Sequence, residues 1–216
     1  GHHGRLPMSD WKLVIGDKQL SSWSLRPWLA LKMAGLPFEE VPIKLDTPEF
    51  HAQIGRYSAN SRVPAFITDS VRISESLAIA EYAAEFAPTL WPKDREVRAI
   101  ARAVSHEMHA GFATLRKSMP MQFSSTGLPH PSSEALDADI RRIVSMWGDL
   151  RDRFSGAGPF LFGAFSIADA MYAPVVSRFR TYGVGLDPVT QAYAETVWAL
   201  APMQEWLSGA KRELSL

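Results

Sequence analysis

The chain has 216 residues, and its 23 Lys and Arg balance 23 Asp and Glu, which argues against the basic excess expected of a nucleic-acid binder. It has no cysteine, which excludes disulfides, thiolate metal sites and a cysteine nucleophile and fits a reducing cytoplasm. No run of about 18 apolar residues occurs, so no membrane span is expected and the chain reads as a soluble cytoplasmic protein. Gly1 to Pro7, with His2 and His3, reads as a leftover tag ahead of Met8.

Leu13-Val14-Ile15 reads as a short buried strand. Leu25, Trp28, Leu29, Leu31 and Met33 then carry a helical apolar pattern that stops at Gly35. Proline is tolerated in the first turn of a helix, so Pro27 places the start near Ser22 to Ser24. Val41-Pro42-Ile43-Lys44-Leu45 alternates as an edge strand would, and its proline agrees with an edge. Thr47-Pro48-Glu49 opens a short polar helix. Val63 to Ile67 and Val71 to Ile73 flank the turn-rich Thr68-Asp69-Ser70, which predicts a hairpin. Ser74-Glu75-Ser76 begins a further helix that runs to Phe86.

Beyond the proline-rich Ala87 to Pro92 the strand signals nearly vanish. A long helix is expected from Asp94 to Met119, and Ser124 to Ser133 separates it from an amphipathic helix carrying Ile140, Ile143, Val144, Trp147, Leu150 and Phe154. Ser166-Ile167-Ala168-Asp169 has capping-box spacing, and Pro174 is expected to kink the helix that follows. Two last helices are expected, from Val189 to Leu200 and from Pro202 to Ser208. An α/β unit over residues 8–87 followed by an all-helical unit over 93–216 predicts two domains with a cleft between them.

Candidate chemistry concentrates in the first unit. Ser21-Ser22-Trp23-Ser24-Leu25-Arg26 puts three hydroxyls and a cation at a helix start, where unpaired amides and the helix dipole favour an anion. These serines either cap and turn the chain or hold a ligand, and Arg26 either adds positive potential or serves as a surface ion-pair residue. Val63-Pro64 is either an ordinary trans bond at a strand start or a cis bond that turns the Val63 backbone outward. Glu75-Ser76 opens another helix.

In this order, and followed by a helical domain, these features resemble the glutathione transferase family over residues 12 to 207. The serine run is similar to that of the zeta class, which includes maleylacetoacetate isomerases. The resemblance implies a thioredoxin-like N-terminal domain, an all-α C-terminal domain, glutathione as co-substrate, no metal, and a homodimer whose partner completes the γ-glutamyl site. It gives Ser21 the place facing the glutathione sulfur, with Ser22 and Ser24 as rivals. Val63 and Pro64 match the cis-proline loop that pairs with the cysteinyl backbone. Glu75 and Ser76 match the pair that receives the γ-glutamyl end. Leu20, Trp23, Met108, Phe112 and Met119 are candidates for the second-substrate pocket, or else core. Trp23 stands where the zeta class has cysteine, and Ala113 where a glutamine is expected. The implied activity is transfer of glutathione to a small hydrophobic electrophile. A zeta-like cis-trans isomerase and a non-catalytic glutathione-fold binding protein are the alternatives.

Three weaker signals compete. His106-Glu107-Met108-His109 spaces its histidines three apart, whereas zincins need four. Asp137-Ala138-Asp139 reads as a solvated helix face. Gly156-Ala157-Gly158 follows a helix, the wrong context for a dinucleotide site.

Overall fold

The computed structural model describes residues 10–44, 47–58, 60 and 62–216; Gly1 to Pro7, Met8 and Leu45 fall outside them. Strands β1 (Lys12–Ile15), β2 (Glu39–Pro42), β3 (Ala65–Ile67) and β4 (Arg72–Ile73) form one sheet in the order β2-β1-β3-β4. β1 pairs parallel with β2 and antiparallel with β3, and β3 with β4 makes the expected hairpin. Pro42 lies in an edge strand, where its missing N–H leaves no gap in a ladder. Helices α1 (Ser22–Met33), α2 (Pro48–Tyr57) and α3 (Ser76–Phe86) complete this α/β part. β1 is buried on both faces: Leu13 and Ile15 join the main core, while Val14 packs with Ile43, Ile54 and Ala65 on the other side. The architecture is a thioredoxin-like N-terminal domain with an all-helical C-terminal domain.

Six further helices follow among the described residues: α4 (Arg95–Ala110), α5 (Ala113–Ser118), α6 (Glu134–Phe154), α7 (Ile167–Thr181), α8 (Pro188–Trp198) and α9 (Ala201–Leu214). The long helix expected from Asp94 to Met119 is two. α4 stops at Gly111, and Phe112 adopts a left-handed conformation (φ 58°) before α5 begins. A Cβ on Gly111 would lie 2.8 Å from the Glu107 carbonyl oxygen, so the chain leaves α4 only where no side chain is present. Asp139, expected on a solvated face, caps this break by accepting the Leu115 N–H at 3.0 Å. α9 runs past the expected stop at Ser208, because Gly209 is a close-approach residue against the Lys18 side chain rather than a terminator. α7 continues through Pro174.

One core spans both parts, and α1 is its shared element, packed against α3 on one side and α7 on the other. Helical residues also hold the loop leading into α1. The Lys18 N–H donates to Glu213 and the Trp206 indole to the Lys18 carbonyl, each at 2.8 Å. Gln19 accepts the Ser124 N–H at 2.9 Å through its side chain and the Phe123 N–H at 3.1 Å through its carbonyl.

The capping box at the start of α7 is formed. Asp169, fully buried, accepts the Ser166 N–H at 2.9 Å, the Leu161 N–H at 3.1 Å and the Tyr193 hydroxyl at 2.7 Å. Burial pushes its carboxyl up to about 6 against the downward pull of those bonds. Between about pH 4 and 6 the folded protein therefore holds a proton that the unfolded chain has released. Asp169 should accordingly cost stability as pH rises through that window, by up to ~3 kcal/mol. Urea unfolding of wild type and Asp169→Asn across this range should show that slope in the wild type alone; parallel profiles would refute it.

Candidate functional site

α1 opens beside the sheet, and its first turn carries the serine run. Ser21 is the N-cap, and its oxygen accepts the Ser24 N–H at 3.3 Å. The Ser24 oxygen accepts the Gly16 N–H at 3.1 Å, and the Ser21 and Ser24 hydroxyls lie 2.6 Å apart. In that contact the Ser21 hydroxyl donates to the Ser24 oxygen, which is fully buried. Ser22, the first helical residue, instead accepts from the Arg178 guanidinium at 3.4 Å.

The second element is the turn into β3. Val63-Pro64 is cis, the arrangement that the resemblance implied and ordinary proline statistics disfavour. The third is the start of α3, where Glu75 is the N-cap without a side-chain capping bond. Ser76 follows, 2% exposed, and its hydroxyl has no hydrogen-bond partner among the described residues. Trp23, Val63, Pro64, Glu75 and Ser76 line one cavity of about 340 Å³. Ser21, Ser22 and Ser24 are not among its walls; they sit in the adjoining first turn of α1.

Two cavity residues went unread in the sequence as ligand-facing groups: His109 on the last turn of α4 and Arg116 on α5, on either side of the break at Gly111. The only prior signal for His109 was its place in the metal-like motif, whose Glu107 is instead paired with Arg142 through two 2.8 Å bonds. Arg178 was missed as well. It occupies a buried position on α7, an apolar stretch where a charged residue is itself the signal.

These side chains form an unusual electrostatic group. Arg26 is 1% exposed; its Nε donates to the Met171 carbonyl at 2.9 Å, and both terminal nitrogens lack partners among the described residues. It is therefore neither a surface residue nor half of an ion pair. Its guanidinium stacks on Trp23 at 4.6 Å, and Arg116 lies over the same ring at 5.3 Å. Arg178 Nε donates to the Met119 carbonyl at 2.8 Å. Burial, then mutual repulsion with Arg178 and Arg116, holds Arg26 well below the usual guanidinium range. Burial and Arg116 likewise bring Arg178 down to about 10. Uncompensated cations beside a helix N-terminus make the region attractive to anions.

The remaining candidates divide. Trp23 is a wall of the cavity, and Leu20 is 49% exposed on the loop before α1. Met108, Phe112 and Met119 are buried members of the main core and line no part of this cavity, the outcome ordinary helical periodicity favours.

With this geometry in place, comparison with known proteins is informative. Residues 20–85 match the family model described as glutathione S-transferase, N-terminal domain, and residues 133–212 match the corresponding C-terminal domain. A maleylacetoacetate isomerase from Rattus norvegicus is 30% identical over 184 residues, covering 82% of each chain. The Mus musculus protein of the same name is 30% identical over 175 residues and 77% of each chain. A solved glutathione transferase homolog from Burkholderia gl BGR1, with bound glutathione, is 25% identical with a TM-score of 0.71, covering 94% of this chain and 99% of that one. Ure2p, solved in complex with glutathione, is similar in fold, with a TM-score of 0.70 over 96% of this chain and 97% of its own at 17% identity. The chain belongs to the glutathione S-transferase family.

Arg26 tests the electrostatic reading directly. A buried cation without a carboxylate partner carries an unrepaid desolvation cost, so Arg26→Met should leave stability level or raise it by about 1 kcal/mol, while activity falls. Chemical unfolding that shows Arg26→Met destabilised by more than ~3 kcal/mol would mean the arginine is structural.

Proposed function

We propose that this protein is a glutathione-dependent enzyme that ionises the tripeptide thiol beside Ser21 and presents it to a small electrophile. The observation that supports this best is the Ser21 hydroxyl at the N-cap of α1, whose oxygen accepts the Ser24 N–H and whose proton would turn from the Ser24 oxygen to the incoming sulfur. Glutathione would extend from there along Val63-Pro64, with the γ-glutamyl carboxylate at the start of α3 and the Ser76 hydroxyl.

A free thiol has a pKa near ~8.5, so little of it is thiolate at neutral pH. Lowering that value by about two units requires roughly 2.7 kcal/mol of preference for the anion. A donated hydroxyl bond, the amides of the first turn of α1 and the field of Arg26 and Arg178 all act in that direction. The thiolate then attacks the electrophilic carbon. In a transfer reaction the displaced pair leaves with a leaving group or is protonated in the product. In an isomerisation the thiolate adds to a conjugated double bond, the new single bond rotates, and elimination returns glutathione unconsumed.

The electrophile in this reading carries negative charge, a revision of the hydrophobic substrate expected from the sequence. Three of the apolar residues offered for that pocket are in the core, whereas Arg26, Arg116 and Arg178 gather around Trp23 and Ser22. That charge, with relatives named maleylacetoacetate isomerase, favours the isomerase form over simple conjugation. Ala113 in place of glutamine and Trp23 in place of cysteine leave the particular acid open.

Two measurements check the proposal. Thiolate absorbance of bound glutathione should titrate about one to two units higher in Ser21→Ala, with kcat/KM down roughly 10- to 100-fold. An unchanged thiol pKa in that variant would transfer the role to another group. Paired electrophiles, a free acid and its methyl ester, should differ in kcat/KM by at least about 10-fold in favour of the acid, and Arg178→Met should erase most of the difference. Equal turnover of acid and ester by the wild type would return the substrate to the neutral class.

A further inference from the structure

Ser21 ends a turn that closes on a single peptide group. The Asp17 carbonyl accepts the Ser21 N–H at 2.8 Å and the Leu20 N–H at 3.1 Å. The N–H of that same peptide unit belongs to Lys18, and it donates to Oε2 of Glu213 at 2.8 Å. Glu213 lies near the end of α9, in the helical domain, and lines no part of the cavity beside Trp23.

We propose that Glu213 is a positioning residue for the thiolate chemistry: through the Asp17–Lys18 peptide it holds the turn that aims Ser21, so that α9 sets the geometry of a cavity it does not line. The inference rests on the reading that Ser21 faces the glutathione sulfur.

Three observations support it. First, a peptide group is planar and stiff, so a carboxylate that fixes its N–H also fixes the direction of its carbonyl. The bond from Lys18 is charge-assisted, and a peptide polarised in this way is a better acceptor for the Ser21 N–H on its far side. Second, α9 is shaped to reach this turn. A Cβ on Gly209, one turn before Glu213, would lie 2.7 Å from Cδ of Lys18, so only a glycine lets the helix come this close. The Trp206 indole takes the Lys18 carbonyl at 2.8 Å, and Glu40 takes the Lys18 ammonium at 3.1 Å. Those contacts seat Lys18, but Glu213 alone among them bonds the peptide that carries Ser21. Third, folding stability is a poor reason for an acid here. Burial pushes the Glu213 carboxyl up, against the pull of the Lys18 N–H, and the charge of Asp17 adds to the push while that of Lys18 opposes it. An acid raised in this way costs stability once the pH is high enough to ionise it, so a neutral acceptor would serve the fold better.

The test is the thiolate titration of bound glutathione in wild type, Glu213→Ala, Ser21→Ala and the double variant. Glu213→Ala should titrate about half a unit to one unit higher than wild type, with kcat down roughly 3- to 10-fold and KM for glutathione within about 2-fold. Added to Ser21→Ala, it should move the thiol no further. Glu213→Gln, which keeps an oxygen for the Lys18 N–H, should titrate with wild type. An equal Glu213→Ala shift with and without Ser21 overturns the inference, because the effect then bypasses the hydroxyl. A Glu213→Gln shift as large as that of Glu213→Ala overturns it too, and so does a folded Glu213→Ala with an unchanged thiol. If Glu213→Ala does not fold, Glu213→Asp, which keeps the charge and withdraws the oxygens by one methylene, replaces it on the same criteria. All of these reverses leave the proposed function standing. Ser21→Ala with an unchanged thiol pKa removes that function first and this inference with it.

Discussion

The docking of α1 against α7 is the constraint on which the site depends. α1 brings Ser21, Ser22, Ser24 and Arg26 from the α/β part, and α7 brings Arg178 from the helical part. Two guanidinium groups are buried at this interface, and each is anchored by backbone carbonyls instead of carboxylates: Arg26 on Met171 within α7, Arg178 on Met119 at the end of α5. Carbonyls offer partial negative charge, enough to orient a guanidinium but not to neutralise it. The interface is held mainly by Leu25, Trp28, Leu29 and their neighbours in the shared core, which leaves the arginines' positive field unspent. A carboxylate in either carbonyl's place would make a stronger pair and a weaker anion site.

That arrangement also explains why the serines need the helical domain. Ser22 accepts from Arg178, and Gln19, two residues before Ser21, bonds the backbone at Phe123 and Ser124. The loop entering α1 is therefore fixed from both ends, by the sheet through the Gly16 N–H to Ser24 and by the helices through Lys18 and Gln19. Under the proposed function, fixing the Ser21 oxygen before the ligand arrives matters energetically, because only its O–H has to turn when the thiolate forms. An isolated α/β part would retain the serines and lose their orientation.

Local patterns carried most of the fold and the N-terminal half of the site. Pro42 marked an edge strand and Ser166 with Asp169 the start of α7, each because one residue's backbone chemistry admits few positions, whereas α1 starts at Ser22 as expected but carries Pro27 inside its second turn and not in its first. The break between α4 and α5 was illegible for the opposite reason. Residues 94–119 are helix-compatible throughout, and the stop is set by a tertiary partner, Asp139, together with a glycine whose role is close approach to Glu107. Met108, Phe112 and Met119 were ambiguous because helical spacing looks alike whether a stripe meets a core or a ligand.

The net charge of zero conceals a division of labour among charges. Glu107 takes Arg142, Glu81 takes Arg102, and Glu205 takes Lys32, all at partly exposed positions where such pairs contribute little stability. The buried arginines receive no such partner, and desolvation makes them the costly ones. A chain selected for stability alone would invert this pattern, pairing the buried cations and leaving the exposed ones to water. Glu75 is the instructive exception: it is the acid at the cavity, yet it faces His109 and not an arginine. Under the proposed function, the positive potential of Arg26, Arg116 and Arg178 lies at the sulfur and second-substrate end, while Glu75 is the acid among the described residues that line the cavity.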